Sequence, residues 1–294
     1  MALFLDLRAM PTGGFVADDV QVLDADHRVL PPDVFAREVQ GRDLLLATHG
    51  FNVSGERGMQ ALGGWEALCG LPNPSTYVGV LWPGDSRFLP IVDYPMEGSV
   101  ALKSGRLLAR FLNRYATGAA TVSFSSHSLG ARVLLETVRN LDRPVHTALL
   151  MAAAIEADCL TREYTDAAVK IGRILVLASE ADLVLQFAFP MGNAFGELVM
   201  RGDPYATRAL GRDGPETTVG LSAECRSWQI PKGWKFGHGD YLPGKDLDLP
   251  FPFPPPQPAP GPDDAPPRPT PGWKPSWSAS VLRTQIGQAG GSSA

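Results

Sequence analysis

A Ser-His-Ser-Leu-Gly string at residues 126–130 places a serine where nucleophilic chemistry is favoured. An apolar run at residues 119–122 precedes it and predicts a buried strand, while residues 131–138 have the apolar spacing of a helix. Small-x-Ser-x-Gly between a strand and a helix is typical of a sharp, strained turn that lifts the serine hydroxyl clear of the sheet. The pattern predicts Ser128 as a nucleophile, with Ser126 and Gly130 as supporting turn residues.

A serine nucleophile needs a general base, and the chain offers five histidines. Only His238 lies after both the serine turn and the acidic residues that end the late predicted strands. It is flanked by glycines, in a segment that we expect to be an exposed loop. We therefore predict that His238 takes the proton from Ser128.

Four carboxylates compete for the role of the acid that orients this histidine. Glu156 and Asp158 follow one predicted strand, and Glu180 and Asp182 follow the next. Asp182 is favoured because the apolar residues 183–185 come directly after it and would draw it inward, which leaves Glu180 to solvent. A carboxylate that holds an imidazole should be shielded and fixed. Asp158 is the next candidate.

The composition fits one large α/β domain and excludes several classes of protein. The chain has 294 residues, of which 44% are hydrophobic, and a net charge of -5, which argues against a nucleic-acid binder. Its three cysteines are scattered and predict neither a disulfide framework nor a metal site, and no phosphate or dinucleotide motif predicts a cofactor. The start of the chain lacks the pattern of a signal peptide and no apolar run reaches membrane-spanning length, so we expect a soluble cytoplasmic protein.

Predicted strands alternate with predicted helices along most of the chain. This alternation predicts an α/β fold, a mostly parallel twisted sheet with helices on both faces. The predicted strands are residues 3–7, 20–23, 43–48, 76–81, 119–122, 145–152, 173–178 and 225–230; the predicted helices include residues 34–39, 56–69, 97–115 and 131–138.

The composition changes sharply from Leu249, and the chain is divided into a domain at residues 1–245 and a tail at 246–294. Residues 250–271 are so rich in proline that the tail should be disordered or form polyproline II, separable from the domain and open to a protein partner. Trp273 and Trp277 near its end either pack loosely or dock on the domain or a partner. Residues 187–200, rich in Phe and Met, could form a mobile lid, an acyl-pocket wall or a buried helical wall.

From about residue 40 to 245 the chain resembles a family of bacterial α/β-hydrolases of unknown function. The motifs that carry this resemblance are His-Gly-Phe-Asn at 49–52, Trp-Pro-Gly-Asp at 82–85, the string at 126–130, Ser179–Asp182 and His-Gly-Asp-Tyr at 238–241. The resemblance implies the α/β-hydrolase fold and the order Ser128, Asp182, His238 for nucleophile, acid and base. It does not name a substrate. Within the motifs we expect Trp82 to be a packing residue and Asp85 a turn residue.

In that fold, two backbone N–H groups hold the negative oxygen of the intermediate. One would come from Phe51, in the loop after the strand 43–48, and the other from Leu129, directly after the nucleophile. His49 and Gly50 would support this turn, since a glycine lets the backbone approach the substrate closely. An ordinary turn that ends the strand is the alternative.

The pattern predicts a serine hydrolase acting on a small-molecule ester or related acyl substrate. Two other functions stay open. An acyltransferase would use the same three residues with an alcohol or thiol acceptor in place of water. A non-catalytic scaffold is also compatible, because a fold does not guarantee an activity.

Overall fold

The computed structural model describes residues 2–10, 14–85, 94–187, 208–244 and 272–287. These residues form one nine-stranded sheet in the order β3-β2-β1-β5-β4-β6-β7-β8-β9. The strands are β1 (Leu3–Arg8), β2 (Val16–Asp24), β3 (Val29–Leu30), β4 (Asp43–Thr48), β5 (Ser75–Leu81), β6 (Thr121–His127), β7 (Val145–Met151), β8 (Ile171–Ala178) and β9 (Glu224–Gln229). Strand β2 pairs antiparallel with β1 and β3, and the other pairs are parallel.

The helices cover both faces of this sheet. They are α1 (Pro32–Val39), α2 (Gly55–Cys69), α3 (Tyr94–Tyr115), α4 (Gly130–Arg139), α5 (Thr165–Ala168), α6 (Leu210–Asp213) and α7 (Trp273–Gly287), with short 3-10 helices at Lys232–Trp234 and His238–Tyr241 and helical residues at 183–187. One buried cluster packs α1, α3, α4 and α5 against the sheet, and the other packs α2 and α7. Successive residues of β4 alternate between the two clusters, as a strand covered on both faces requires. The predicted mostly parallel sheet with helices on both faces is confirmed.

The sheet order explains why separate segments meet at one place. Strands β4 and β6 are parallel neighbours with Thr48 opposite Ser126, and β7 and β8 follow in register. The carboxyl ends of β4, β6 and β8 therefore lie along the same edge, and each leads into a loop that carries a predicted site residue. Strand β9 adds the chain segment that leads to His238.

The tail differs from the sequence prediction in one part. Residues 273–287 form helix α7, and the Trp277 side chain is 1% exposed, packed in the cluster with α2. This helix is buried on most sides, so it lacks the polar face that would have shown as a helical pattern. The Pro-rich residues 250–271 and most of the segment 187–200 lie outside the described residues.

Candidate active site

Ser128 occupies the turn between β6 and α4 with a left-handed φ of 54°. Residues other than glycine rarely adopt this conformation, so the surrounding structure must hold it. The Ser128 N–H donates to the carbonyl of Met151, and the Ser128 carbonyl accepts from the N–H groups of Ala131 and Ala154. The turn is thus fixed by hydrogen bonds to β7, to the residues after it and to helix α4.

The small residues predicted around this turn are needed because two loops press together there. A Cβ on Gly130 would lie 2.5 Å from the His49 carbonyl oxygen, and one on Gly50 would lie 2.8 Å from the Ser128 Cβ. Neither position could carry a side chain without moving a neighbour. Ser126 is fully buried, and its hydroxyl donates to the Leu149 carbonyl over 3.5 Å.

His238 lies between the serine and the acid. Its Nε2 is 2.8 Å from the Ser128 Oγ, and its Nδ1 is 2.8 Å from the Asp182 Oδ2. Because an ionised carboxylate only accepts hydrogen bonds, Nδ1 carries the proton and Nε2 is left to accept from the serine hydroxyl. This is the tautomer that a general base for Ser128 requires.

Asp182 follows β8 and its carboxylate has no solvent exposure. Its Oδ1 accepts from the Leu185 N–H at 3.0 Å, and of the three apolar residues expected to anchor this turn only Leu185 is buried, while Leu183 and Val184 are exposed. The competing acids point elsewhere: Glu156 pairs with Arg132 and Asp158 pairs with Arg162, while Glu180 is exposed. The structure therefore brings together Ser128, Asp182 and His238, and none of the other three carboxylates contacts His238.

The N–H groups of Phe51 and Leu129 are the two that the sequence predicts to hold the negative oxygen. In the part of the chain that the structure describes, neither the Phe51 nor the Leu129 N–H donates to another residue. Leu129 precedes the first turn of α4, where N–H groups have no helical acceptor. The role of both as an oxyanion hole remains a prediction.

His49, predicted to support the β4 loop, is buried and neutral. Burial and, secondarily, the nearby Arg8 charge lower the pKa of His49 to about 3. Its Nδ1 donates to the Gly50 carbonyl at 2.8 Å, and its own carbonyl accepts from the Trp82 indole N–H at 2.9 Å. Trp82 is a buried packing residue, as expected, and it also anchors this loop.

Comparison with known proteins places this chain in a family. A family model described as "Alpha/beta hydrolase of unknown function (DUF900)" matches residues 33–222, which is more than half of the chain. The chain belongs to this α/β-hydrolase family. No curated protein matches the chain.

Solved structures similar to this α/β hydrolase share little sequence with it. An uncharacterized protein from Bacillus cereus ATCC 10987 is 13% identical with a TM-score of 0.39, covering 68% of this chain and 55% of its own, so the α/β hydrolase spans little more than half of that protein. Esterase PE8 is 15% identical over 68% of this chain and 86% of its own, with a TM-score of 0.39. Acetyl xylan esterase 1 from Thermoanaerobacterium sp. JW/SL YS485 is 12% identical over 80% and 82%, also with a TM-score of 0.39.

Three residues of the hydrolase site were not assigned a role from sequence. His127 donates from Nε2 to the His238 carbonyl at 2.6 Å, and burial, then the nearby His238, lower its pKa to about 3, so it stays neutral. Arg8 contacts the β4 loop, and its partner Asp85, expected to be only a turn residue, forms an ion pair with it. The alternation of Asp6 and Arg8 with leucines in a strand was the one available signal.

No group of three or more His, Cys, Asp or Glu side chains within the described ranges could hold a metal ion. Among the helices in those ranges, none combines the length and the apolar character needed to cross a membrane.

Proposed function

We propose that this α/β hydrolase is a serine hydrolase that cleaves a carboxylic ester, or a related acyl bond, through an acyl-enzyme on Ser128. The observation that carries the proposal is the His238 imidazole, which lies 2.8 Å from both the Ser128 Oγ and the Asp182 Oδ2. The three side chains come from three loops at one sheet edge. Packing alone gives no reason for this alignment of nucleophile, base and acid.

In the first half of the reaction, the Ser128 Oγ attacks the substrate carbonyl carbon as its proton passes to His238 Nε2. Asp182 holds the imidazole in the required tautomer and stabilises its protonated form. The carbonyl oxygen becomes negative, and the N–H groups of Phe51 and Leu129 would donate to it. When the tetrahedral intermediate collapses, the bond to the leaving group breaks and His238 returns the proton to that group.

In the second half, a water molecule takes the place of the leaving group. His238 accepts a proton from the water as the oxygen attacks the acyl carbon, and the same two N–H groups would hold the second negative oxygen. Collapse of this intermediate releases the carboxylic acid, and the proton returns from His238 to Ser128.

The proposal is tested with a fluorophosphonate, which reacts with an activated serine. One residue should be labelled in the wild type, Ser128→Ala should abolish labelling, and hydrolysis should fall roughly 10⁴-fold or more. His238→Ala should cost about as much, while the exposed Ser222→Ala should match the wild type. Labelling that persists in Ser128→Ala would move the nucleophile to Ser126 or elsewhere.

A panel of short- and long-chain esters, with and without added alcohol or thiol acceptors, separates hydrolysis from acyl transfer. A hydrolase releases the free acid at a rate that acceptors leave unchanged. Acyl product that rises with acceptor concentration, at the expense of free acid, would favour an acyltransferase. A wild type that neither reacts with the fluorophosphonate nor hydrolyses any ester would favour a non-catalytic scaffold.

A further inference from the structure

The Arg8 guanidinium lies at the carboxyl end of β1, two strands away from the β4 loop, and its side chain is 1% exposed. One nitrogen, Nη1, donates to the Asp85 Oδ1 at 2.6 Å in the segment after β5. The other, Nη2, donates to the Val53 carbonyl at 2.7 Å in the loop after β4. Because β1, β5, β4 and β6 are neighbours in the sheet, this side chain connects the far strand to the segments beside Ser128.

The contacts of Arg8 lie on both sides of Phe51. Besides the Val53 carbonyl, two residues after Phe51, the Nη2 group faces the His49 Nε2 at 3.4 Å, two residues before it. His49 donates from Nδ1 to the Gly50 carbonyl, so its Nε2 has the lone pair that an Arg N–H needs. The planar guanidinium thus joins both ends of the short loop that presents the Phe51 N–H.

Burying the Arg8 charge costs free energy, so its buried position calls for a specific reason. A buried cation is expensive unless it is paired, and Asp85 neutralises Arg8 while Asp6 accepts from the Arg8 backbone N–H. A buried ion pair by itself adds little stability compared with apolar packing. What Arg8 does supply, and an apolar side chain could not, is a set of directional donors aimed at the β4 loop.

We propose, resting on the serine-hydrolase function above, that Arg8 is a positioning residue for the oxyanion hole: its guanidinium ties His49 and Val53 to Asp85 and so fixes the Phe51 N–H toward Ser128. Stabilisation of a negative oxygen depends on donors that are already aimed before the reaction, and a displacement of about 1 Å can cost roughly 10²-fold in rate. Arg8 does not contact the nucleophile or the base in this arrangement. Its effect should therefore appear in kcat and leave the chemistry of Ser128 activation intact.

The test compares Arg8→Met, which keeps length and apolar volume, with Arg8→Lys, which keeps the charge but loses the fork. The exposed Arg28→Met, whose guanidinium pairs with Asp24 and Asp26 on a surface turn, is the matched control. We expect Arg8→Met to lower kcat on an ester about 10²-fold with KM nearly unchanged, Arg8→Lys to fall between, and Arg28→Met to match the wild type.

A second readout separates positioning from a general structural role. The sulfur of a thionoester is a weak hydrogen-bond acceptor, so its hydrolysis depends little on the Phe51 N–H. The rate ratio of ester to thionoester should therefore fall about tenfold or more in Arg8→Met. Amide hydrogen exchange should accelerate in residues 49–53 while residues 145–151 of β7 exchange as in the wild type.

Each result decides between named outcomes. If Arg8→Met does not fold, Arg8→Lys is measured in its place. The role of Arg8 is overturned if the rate ratio of ester to thionoester and the amide hydrogen exchange of residues 49–53 both match the wild type. Equal losses on ester and thionoester also overturn it, since they indicate a structural effect. A wild-type protein that takes no fluorophosphonate label and hydrolyses no ester overturns the proposed function instead.

Discussion

Two loops meet at Ser128, and they differ in how much aromatic packing holds them in place. The β4 loop, residues 49–53, is anchored by polar contacts: Arg8 to the Val53 carbonyl, Trp82 to the His49 carbonyl, and the Asn52 N–H to the Gly84 carbonyl. The histidine loop, residues 232–241, is anchored both by aromatic packing under helix α7 and by hydrogen bonds to its backbone carbonyls.

The packing around the histidine loop involves a cluster of large rings. Trp234 and Phe236 lie 5.6 Å and 5.4 Å from Trp277, measured between ring centres, in edge-to-face arrangements. Polar contacts add to this packing: Ser179 donates to the Phe236 carbonyl at 2.7 Å, His127 to the His238 carbonyl at 2.6 Å and Ser278 to the Tyr241 carbonyl at 2.8 Å, and Lys274 pairs with Asp240. Helix α7 thus covers the loop that carries His238.

The difference follows from what each loop must deliver. A backbone N–H has no rotatable side chain, so its direction is set entirely by the backbone, and directional hydrogen bonds are the way to fix it. The His238 imidazole is oriented by its own contacts with Asp182 and Ser128. Its loop has to bring the ring within reach of those two partners, which aromatic packing and the hydrogen bonds to the loop carbonyls do together. The β4 loop should therefore be more sensitive to small displacements than the histidine loop.

The largest effect should come from Asp182, because it orients the imidazole that the histidine loop only brings close. Asp182→Asn should preserve the fold but favour the wrong tautomer of His238, with a loss of roughly 10⁴-fold in kcat/KM at neutral pH. Asp158→Asn and Glu180→Gln are the controls and should stay near the wild-type rate. A strongly reduced kcat/KM in Asp158→Asn, together with a kcat/KM near the wild-type value in Asp182→Asn, would show that the wrong acid was assigned.

Next in size is the loss of Trp277, the fully buried ring between α7 and the histidine loop. Trp277→Ala should lower the free energy of unfolding by about 3–5 kcal/mol and accelerate amide exchange in residues 232–241. Urea unfolding measures the first, with the exposed Val169→Ala as the control. Wild-type stability in Trp277→Ala would mean that α7 does not hold this loop and that the tail is separable, as its composition suggests.

A pair of glycines compares the two loops directly. A methyl group on Gly50 meets Ser128 Cβ and His127 Nδ1 at 2.8 Å, whereas one on Gly239, next to His238, meets nothing within 4 Å. Gly50→Ala should lower kcat about 10²-fold by displacing the β4 loop, and Gly239→Ala should leave it within about twofold. Similar kcat values for the two variants would contradict the greater sensitivity of the β4 loop.

The smallest effect at neutral pH concerns the buried neutral histidine that supports each loop, His49 and His127, whose pKa values are both lowered to about 3. Unfolded histidine has a pKa of about 6.5, so between pH 6.5 and 3 the unfolded chain binds protons that the folded chain does not. The contribution of each neutral histidine to the free energy of unfolding is fully present above pH 6.5. It falls by up to about 1.4 kcal/mol for each pH unit below that value.

His49→Asn and His127→Gln test this pH dependence, because each keeps a donor near the position of the original ring N–H and removes the titrating group. The slope of unfolding free energy against pH, measured by urea unfolding between pH 6.5 and 4, should be shallower in each variant by up to about 1.4 kcal/mol per pH unit. The exposed His27→Gln should keep the wild-type slope. Unchanged slopes in both site variants would show that these histidines are protonated in the folded protein.

Some features were predicted from sequence because their signals are local. The apolar runs of β4, β6, β7 and β8 and the small residues around Ser128 act through neighbours along the chain. Strand ends were less certain: β2 begins at Val16 rather than 20, and β3 was missed because a two-residue strand has no periodicity. The short helix α6 was also missed, because a helix of four residues carries no helical periodicity.

The supports of the site depend on contacts that no local pattern encodes. Arg8 reaches Asp85 across 77 positions, and Trp65 donates to Ser278 across 213 positions. Helix α7 is buried on most sides and follows a Pro-rich segment, so both its composition and its neighbours argued against a packed helix. No sequence signal indicated the role of His127, because its partner is the backbone carbonyl oxygen of His238 and every residue has such an oxygen.

The sequence by itself determined the strand-turn-helix around Ser128, the α/β class, and the order in which serine, acid and histidine occur. The first two follow from backbone preferences and apolar periodicity, which act over a few residues, and the order is read directly from the chain. Only the tertiary structure decided which of four carboxylates reaches His238, and which buried charge and which helix hold the two loops. Those outcomes depend on strand order and on burial, because parallel strands bring distant loops to one edge of the sheet and a desolvated charge must find its partner there.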